Sequence, residues 1–430
     1  MIQNFHYVEN LYGQLYLPGD KSISHRAIMF SSMAEGKSIV KNCSNADDVK
    51  STISCFKKLG VQFKYDEDKI IIEGRGFKNF LKPDGELYAG NSGTTARLLS
   101  GLLCAQSFES IITGDESLSK RPMMRVVEPL NSMGADIIAS EKGTLPLIIK
   151  PSNKLHPINY KMKVASAQVK SAIILSALHL EDESIIIEPV PTRNHTEKLL
   201  GLKTEISDEG TKIFVSKKNY PTCIDITVPA DISTAAFFIV LGLLSKDSNI
   251  LIENVSLNET RTGILSVLKS MGGKIFIENE LIENGEKKGD IRIMSSDLKN
   301  VDIPVELIPN IIDEIPVLSI AGVFADGKFK ITNAKELRVK ESDRIKALCT
   351  NFKNAGLNVN EFEDGFEVYG KVNVKKPVFE SYGDHRIAMA FAVMSMLLEE
   401  GGDINNFECV SVSNPEFLNQ LAALGYNSKI

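Results

Sequence analysis

The hydrophobic and polar positions of this chain form one phrase repeated six times. Each repeat has an apolar run at helical spacing that ends in a hydrophobe–glycine pair, with a short apolar strand next. The pairs are Leu59-Gly60, Met133-Gly134, Leu200-Gly201, Met271-Gly272, Ala355-Gly356 and Leu424-Gly425, and the glycines recur every 67 to 84 residues. Glycine is expected just past a helix C-terminus, because it takes the left-handed conformation without a Cβ clash. The strands after these pairs are predicted at Val61–Tyr65, Ala135–Ile138, Leu202–Ile206, Lys274–Ile277 and Leu357–Asn360. Further strands are predicted at Lys69–Glu73, Leu145–Lys150, Ile185–Glu188 and Ile291–Met294.

A second series runs in phase with the first. Six helices, apolar on nearly every face, are predicted to open at Ser22, Ser92, Ser166, Ser233, Asp313 and Asp384, spaced 67 to 80 residues apart. A helix with no polar face belongs in the interior. Pro18-Gly19-Asp20-Lys21-Ser22 is echoed 211 positions later by Pro229-Ala230-Asp231-Ile232-Ser233. Two α/β lobes of three repeats each follow, with junctions near Pro18 and Pro229. Long linkers and charge blocks are absent, so short crossings that invite hinge closure should join the lobes.

Composition narrows the class. The chain has 430 residues, 43% hydrophobic and 24% charged, enough for two large domains. Met1–Asn10 has no basic or apolar stretch of the signal-peptide kind. The longest apolar stretches, Ala235–Leu244 and Ile387–Leu398, fall short of the roughly 18 residues a membrane span needs. A cytoplasmic protein is expected. A net charge of −6 argues against a nucleic-acid or acidic-membrane surface. Six scattered cysteines without a C-x-x-C, and six histidines without ligand spacing, predict reduced thiols and no bound metal.

Candidate chemistry sits at the starts of the repeats. Pro18–Arg26 reads as a loop feeding a helix N-terminus, an anion-favouring position, with Asp20, Ser22 or Ser24 available as caps and two or three candidate cationic donors in Lys21, Arg26 and His25. Asn91–Arg97 is a glycine-bearing loop entering a helix, without the P-loop pattern. Ser119-Lys120-Arg121-Pro122, Ser166–Lys170 and Thr192–Thr196 set further cations and hydroxyls at helix starts. In Leu337–Arg344, Lys340 and Arg344 fall at i,i+4 on a predicted helix with Glu341 one turn from Arg344. Asp384-His385-Arg386 opens a strongly apolar helix. Two unit anions 4 Å apart repel by about 4 kcal/mol at an effective dielectric of 20, so a site for two anionic substrates needs several cations. Lys21, Arg26, Arg121, Arg193, Lys340, Arg344 and Arg386 could supply them, leaving Asp313 and Glu341 for proton transfer.

The phrases P-G-D-K-S-I-S-H-R, G-N-S-G-T-T-A-R-L, S-K-R-P-M, S-A-Q-V-K-S-A, R-N-H-T-E, D-E-I-P, L-R-V-K-E-S-D-R and Y-G-D-H-R-I-A-M-A together resemble the 5-enolpyruvylshikimate-3-phosphate synthase family, in its order, from about residue 18 to 397. The resemblance implies an α/β enolpyruvyl transferase fold of two lobes, 19–228 and 1–18 plus 229–430. Each would hold three βαβαββ repeats, with helix N-termini facing an interlobe cleft. It implies transfer of the enolpyruvyl group of phosphoenolpyruvate to shikimate 3-phosphate by a monomer without metal or organic cofactor. Carried over by motif, Lys21 touches both substrates, and Ser22, Arg26, Ser166, Ala167, Gln168 and Thr192 or Arg193 hold shikimate 3-phosphate. Asp313 and Lys340 contact its ring hydroxyls. Asn91, Gly93, Arg121, Gln168, Arg344 and Arg386 surround phosphoenolpyruvate. Asp313, Glu341 and Lys21 carry the proton transfers.

Four positions depart from the family pattern. Val412 stands where some members carry a phosphate-binding Lys, Glu336 replaces an Asn, Ala230 replaces a Gly, and the helix at Thr196–Leu200 is short. Two other readings compete. UDP-N-acetylglucosamine enolpyruvyl transferases resemble the chain in their repeats, but Gly114–Arg125 lacks their usual Cys and Lys21-Ser22 replaces their K-N. A two-lobed anion-binding protein would have no use for Asp313 and Glu341 among the cations.

Overall fold

The computed structural model describes residues 2–426. It divides into two compact units. One comprises Gly19–Val228 with Asn284–Glu286; the other comprises the chain up to Pro18, Pro229–Glu283 and everything from Lys287 onward. Each unit has its own hydrophobic core.

The six apolar helices are α1 (Lys21–Met33), α2 (Gly93–Leu103), α3 (Ala167–Ala177), α4 (Ile232–Leu244), α5 (Ile315–Phe324) and α6 (His385–Met396). They are buried nearly all round, as their lack of a polar face requires. Gly101 shows how tightly α2 and α3 pack: a Cβ there would stand 2.1 Å from the Ala172 carbonyl oxygen. Three helix starts differ from the sequence reading. Asp20, one of the three candidate caps at α1, and Asp231 at α4 each stand two residues before the predicted openings Ser22 and Ser233, and their carboxylates accept from the free amides of Ile23 and Ser233. Helix α5 begins at Ile315 rather than Asp313, with Pro316 in its first turn.

The second helices, Asp47–Lys58, Met124–Ser132, His195–Leu199, Gly263–Ser270, Arg344–Asn354 and Phe417–Ala423, precede the six glycine pairs. All six glycines have positive φ, from 58° at Gly201 to 100° at Gly272. In each case the glycine N–H donates three residues back and the next N–H five residues back, as in Gly60 to Lys57 and Val61 to Phe56 at 3.0 Å. This Schellman motif satisfies the last carbonyls of each helix, and in the first five repeats it turns the chain into the next strand.

Among the described residues there are six sheets, three in each unit. In the first, Glu35–Lys41 runs antiparallel to Lys69–Arg75 and that strand antiparallel to Gln62–Asp66. Leu87–Tyr88, Ser110–Thr113, Leu147–Lys150 and Asp136–Ile138 build the second, and Asn159–Lys161, Ser184–Glu188, Gly210–Val215 and Lys203–Ser207 the third. In the second and third, the strand before the buried helix lies parallel to the strand after it.

At the unit junctions these partners are exchanged. Tyr12–Tyr16, which precedes α1, pairs with Asn249–Ser256, which follows α4. Asp225–Thr227, which precedes α4, pairs with Glu35–Lys41, which follows α1. Ile2–Phe5 pairs with Gly402–Asn405. Asn284–Glu286, at the turn between the strands Lys274–Glu283 and Glu286–Met294, belongs to the first unit.

Candidate active site

In the unit holding α1 to α3, the predicted residues lie around the starts of those helices. Lys21 Nζ is 2.8 Å from Asp48 Oδ2, and both side chains keep some exposure. Arg26 turns inward. It is 3% exposed and donates to Thr196 Oγ1 at 2.6 Å, Ser171 Oγ at 2.8 Å and the Ser22 carbonyl at 2.9 Å. Burial pulls its pKa down to about 10 against the opposing pull of Glu197 and Asp20, leaving it a cation at neutral pH.

His25 is not a cationic donor. It is wholly buried, its pKa driven well below the ordinary value by burial and then by Lys21 and Arg26, and its Nδ1 lies 2.7 Å from Thr52 Oγ1. Thr52 continues to Thr95 and Thr95 to Ser92, the cap of α2, so one hydroxyl chain ties α1, the helix carrying Asp48 and α2 together.

Asn91 bridges Asp115 and Arg121, each at 2.7 Å. Gly93, the first residue of α2, has no side chain where two guanidinium groups come close. A Cβ there would be 2.8 Å from Arg97 Nη1 and 3.5 Å from Arg121 Nη1. Arg97 also donates to Gln168 Oε1 at 2.6 Å, and Gln168 Nε2 donates to Thr94 at 3.0 Å, joining α3 to α2. Asn91, Gly93, Arg121 and Gln168 therefore share one cluster with Arg97. The sequence reading passed over Arg97, although it stands four residues from Gly93 on one helix face. Ser166 caps α3 through Val169 N, and Ala167 is half-buried beside it. Thr192 is buried and Arg193 half-buried in the segment before the short helix, which begins at His195.

The other unit assembles an ionic cluster where α5, α6 and the helix Arg344–Asn354 begin. Lys340 and Glu341 are not on a helix, as the sequence suggested. Lys335–Val339 is a 3-10 turn, Lys340 is extended, and Asp343 caps the helix that starts at Arg344. Ser-Asp ahead of an amphipathic run is the N-terminal signal that places this break.

Arg344 is 1% exposed and meets three carboxylates: Asp384 at 2.7 and 3.2 Å, Glu341 at 2.6 Å and Asp313 at 3.3 Å. Burial would lower its pKa, but Asp384 and Glu341 outweigh that and hold it above the ordinary value. Asp384 is correspondingly held below the carboxylate range: burial raises it, and Arg344 more than reverses the effect. Lys340 Nζ lies 3.4 Å from Asp313, and Arg386 donates to the Asp313 carbonyl at 2.8 Å.

Glu314 was missed by the sequence reading. Fully buried, it accepts from Ser233 and lies 3.7 Å from Arg386 and 3.9 Å from Arg261, linking the starts of α4, α5 and α6. Glu336 is exposed, Val412 is half-buried at the end of a 3-10 segment, and Ala230 is buried with its N–H on the Asn254 carbonyl. Among the described residues no group of His, Cys, Asp or Glu is placed to hold a metal ion, and no single helix is long and apolar enough to cross a membrane.

Basic side chains with bidentate forks, hydroxyls and two partly exposed carboxylates suit anionic substrates and proton transfer. The family model described as EPSP synthase (3-phosphoshikimate 1-carboxyvinyltransferase) matches residues 6–421. The chain is 48% identical over 423 residues to the 3-phosphoshikimate 1-carboxyvinyltransferase of Caldicellulosiruptor saccharolyticus, covering 96% of each chain. It is 46% identical over 415 residues to that of Petrotoga mobilis, covering 95% of this chain and 96% of the relative. The solved EPSP synthase of Acinetobacter baumannii superposes with a TM-score of 0.87 at 39% identity, over 99% of this chain and 98% of that one. The enolpyruvyl transferase NikO of Streptomyces tendae, 13% identical, superposes at 0.76 over 99% and 97% and speaks for the fold alone. The chain belongs to the EPSP synthase family, the 3-phosphoshikimate 1-carboxyvinyltransferases of aromatic amino acid biosynthesis.

Proposed function

We propose that the residues above carry the reaction of this family: the enolpyruvyl group of phosphoenolpyruvate passes to the 5-hydroxyl of shikimate 3-phosphate, and phosphate leaves. The observation that supports this assignment most strongly is Arg344, a buried guanidinium at a helix start facing three carboxylates. Such a fork can exchange a carboxylate for the carboxylate or phosphate of a substrate.

Lys21, Ser22, Arg26, Ser166, Ala167, Gln168 and Arg193 are assigned to shikimate 3-phosphate, with Asp313 and Lys340 at its ring hydroxyls. Lys21, Asn91, Gly93, Arg121, Gln168, Arg344 and Arg386 are assigned to phosphoenolpyruvate. Arg26, whose donors reach Thr196, Ser171 and the Ser22 carbonyl, would act by orienting the segments that meet the phosphate.

In the addition step the 5-hydroxyl attacks C2 and gives its proton to Asp313, while Glu341, assisted by Lys21, protonates the methylene C3. The result is a tetrahedral intermediate. Its collapse returns the C3 proton, restores the double bond and breaks the bond between C2 and the phosphate oxygen. The arginines stabilise charge on the departing phosphate.

A phosphate-release assay with phosphoenolpyruvate, with and without shikimate 3-phosphate, tests the reading. Release must require both substrates; release that requires a UDP-sugar instead, or none, overturns it. Asp313→Asn and Glu341→Gln should each lower kcat at least a hundredfold, and turnover within a few fold of the parent enzyme would remove that residue from its role. The chemistry uses side chains alone, so dialysis against a chelator should leave the rate unchanged. On the resemblance to the family, the proposal extends to a cytoplasmic monomer; light scattering that returns twice the chain mass would correct it.

A further inference from the structure

Lys170 is the one cation of the S-A-Q-V-K-S-A phrase that the reaction does not use. It stands one turn into α3, fully buried, with Nζ 2.8 Å from Glu188 Oε1 and 2.7 Å from Glu197 Oε1. Glu188 ends the strand Ser184–Glu188, and Glu197 lies in the short helix His195–Leu199. Between them runs the segment that carries Thr192 and Arg193. That segment holds itself poorly. Pro189 and Pro191 have no N–H to donate, and a five-residue helix is far below the length that is stable alone. Its fixings are side chains: Glu188 Oε1 accepts from the Thr192 N–H at 3.0 Å and from the Thr192 hydroxyl, and Thr196 is bonded to Arg26 and Ser171.

Two carboxylates and two cations, Glu188, Glu197, Lys170 and Arg26, are thus each no more than 5% exposed in one place. Asp20, Arg193 and Glu286 also bear on Arg26, and Glu286 Oε1 lies 2.7 Å from His195 Nδ1. A buried ion pair is weak evidence for stability, because desolvation consumes most of its attraction. It does fix geometry, since removing one member leaves the others without compensation.

We propose that Lys170 is a positioning residue for shikimate 3-phosphate: by joining Glu188 to Glu197 it sets the place of the Thr192–Glu197 segment and so of Arg193. This rests on the reading that Arg193 meets the substrate phosphate. Lys170→Met leaves two carboxylates facing each other, and one then takes up a proton more readily than in the parent enzyme.

The test is steady-state kinetics of the full chain carrying Lys170→Met, Glu197→Ala or Arg193→Ala. The Met variant should raise KM for shikimate 3-phosphate about tenfold or more, as displaced binding groups do, with KM for phosphoenolpyruvate within twofold. The excess should shrink as pH is lowered, because protonation of one carboxylate relieves the repulsion. Glu197→Ala, which keeps the Lys170–Glu188 pair, should raise the same KM without that pH signature, and it serves alone if the Met variant does not fold. Variants with a lower melting temperature but an unchanged KM for shikimate 3-phosphate at every pH overturn the inference. Arg193→Ala with an unchanged KM for that substrate overturns instead the reading on which it rests.

Discussion

Asp384→Asn separates charge from shape in the buried cluster. Asp384 Oδ2 accepts from Arg344 Nε at 2.7 Å and Ser342 Oγ at 3.1 Å, while Oδ1 accepts from Arg344 Nη2 at 3.2 Å and the Arg386 N–H at 2.9 Å. Asn caps helices as well as Asp does, so the bond to Arg386 can survive. One carboxylate oxygen must become an NH2, however, and at either position it would face donors. The Coulomb attraction at 2.7 Å is about 6 kcal/mol at an effective dielectric of 20, before desolvation is subtracted. Breaking a buried pair costs about 3–5 kcal/mol. Glu341 and Asp313 remain on Arg344, which places the expected loss at the lower end, about 3 kcal/mol.

The chain has no tryptophan, so guanidinium unfolding is best followed by far-ultraviolet circular dichroism. The pH dependence gives a second check. The Asp384 pKa is lowered in the folded protein, so its stabilisation is complete above the unfolded value of about 4 and is lost as pH falls through the folded value. The gap between parent and variant should be full at pH 7 and close in acid. A gap under about 1 kcal/mol at pH 7, or one that widens in acid, would refute the argument.

Gly93→Ala should raise KM for phosphoenolpyruvate several-fold, because its Cβ would lie 2.8 Å from Arg97 Nη1 and the guanidinium must move; unchanged kinetics would place Arg97 and Arg121 outside that site. Gly356→Ala and Gly201→Ala share one helix-ending motif but should differ in cost. At Gly201, φ is 58° with nothing within 4 Å, so the left-handed conformation alone costs about 1–2 kcal/mol. At Gly356 a Cβ would also stand 1.7 Å from Asn373 Oδ1, so that variant should be the less stable by denaturant titration. Thr52→Val cuts the hydroxyl chain from His25 to Ser92 and should lower stability by about 1–3 kcal/mol. Thr52→Ser should recover most of that loss; if it does not, packing of the methyl group matters more than the bond.

What the sequence made legible was local. A helix ended by a left-handed glycine and a helix with no polar face each write their geometry into a few neighbouring residues, and so six of each could be counted. The strand exchange at the junctions was not legible, because Tyr12–Tyr16 carries no mark of whether it pairs near Glu35 or near Asn249. Long-range charge pairing was hidden in the same way. Lys170 finds Glu188 and Glu197, and Glu314 finds Ser233 and Arg386, only once the fold brings them together. Periodicity alone places Lys340 and Glu341 on a helix, and the Ser342-Asp343 capping signal overrides it.

The exchanged strands set an order in time. As the polypeptide is made, α1 to α3 and their sheets can be completed once Asp225–Thr227 has emerged, with only Asn284–Glu286 still to come. The strands ahead of α1 wait far longer. Among the described residues Tyr12–Tyr16 has no strand partner until Asn249–Ser256 is synthesised, and Ile2–Phe5 none until Gly402–Asn405, beyond α6. These two strands are therefore made before α1 and fixed only after α4 and α6, so the second unit closes late.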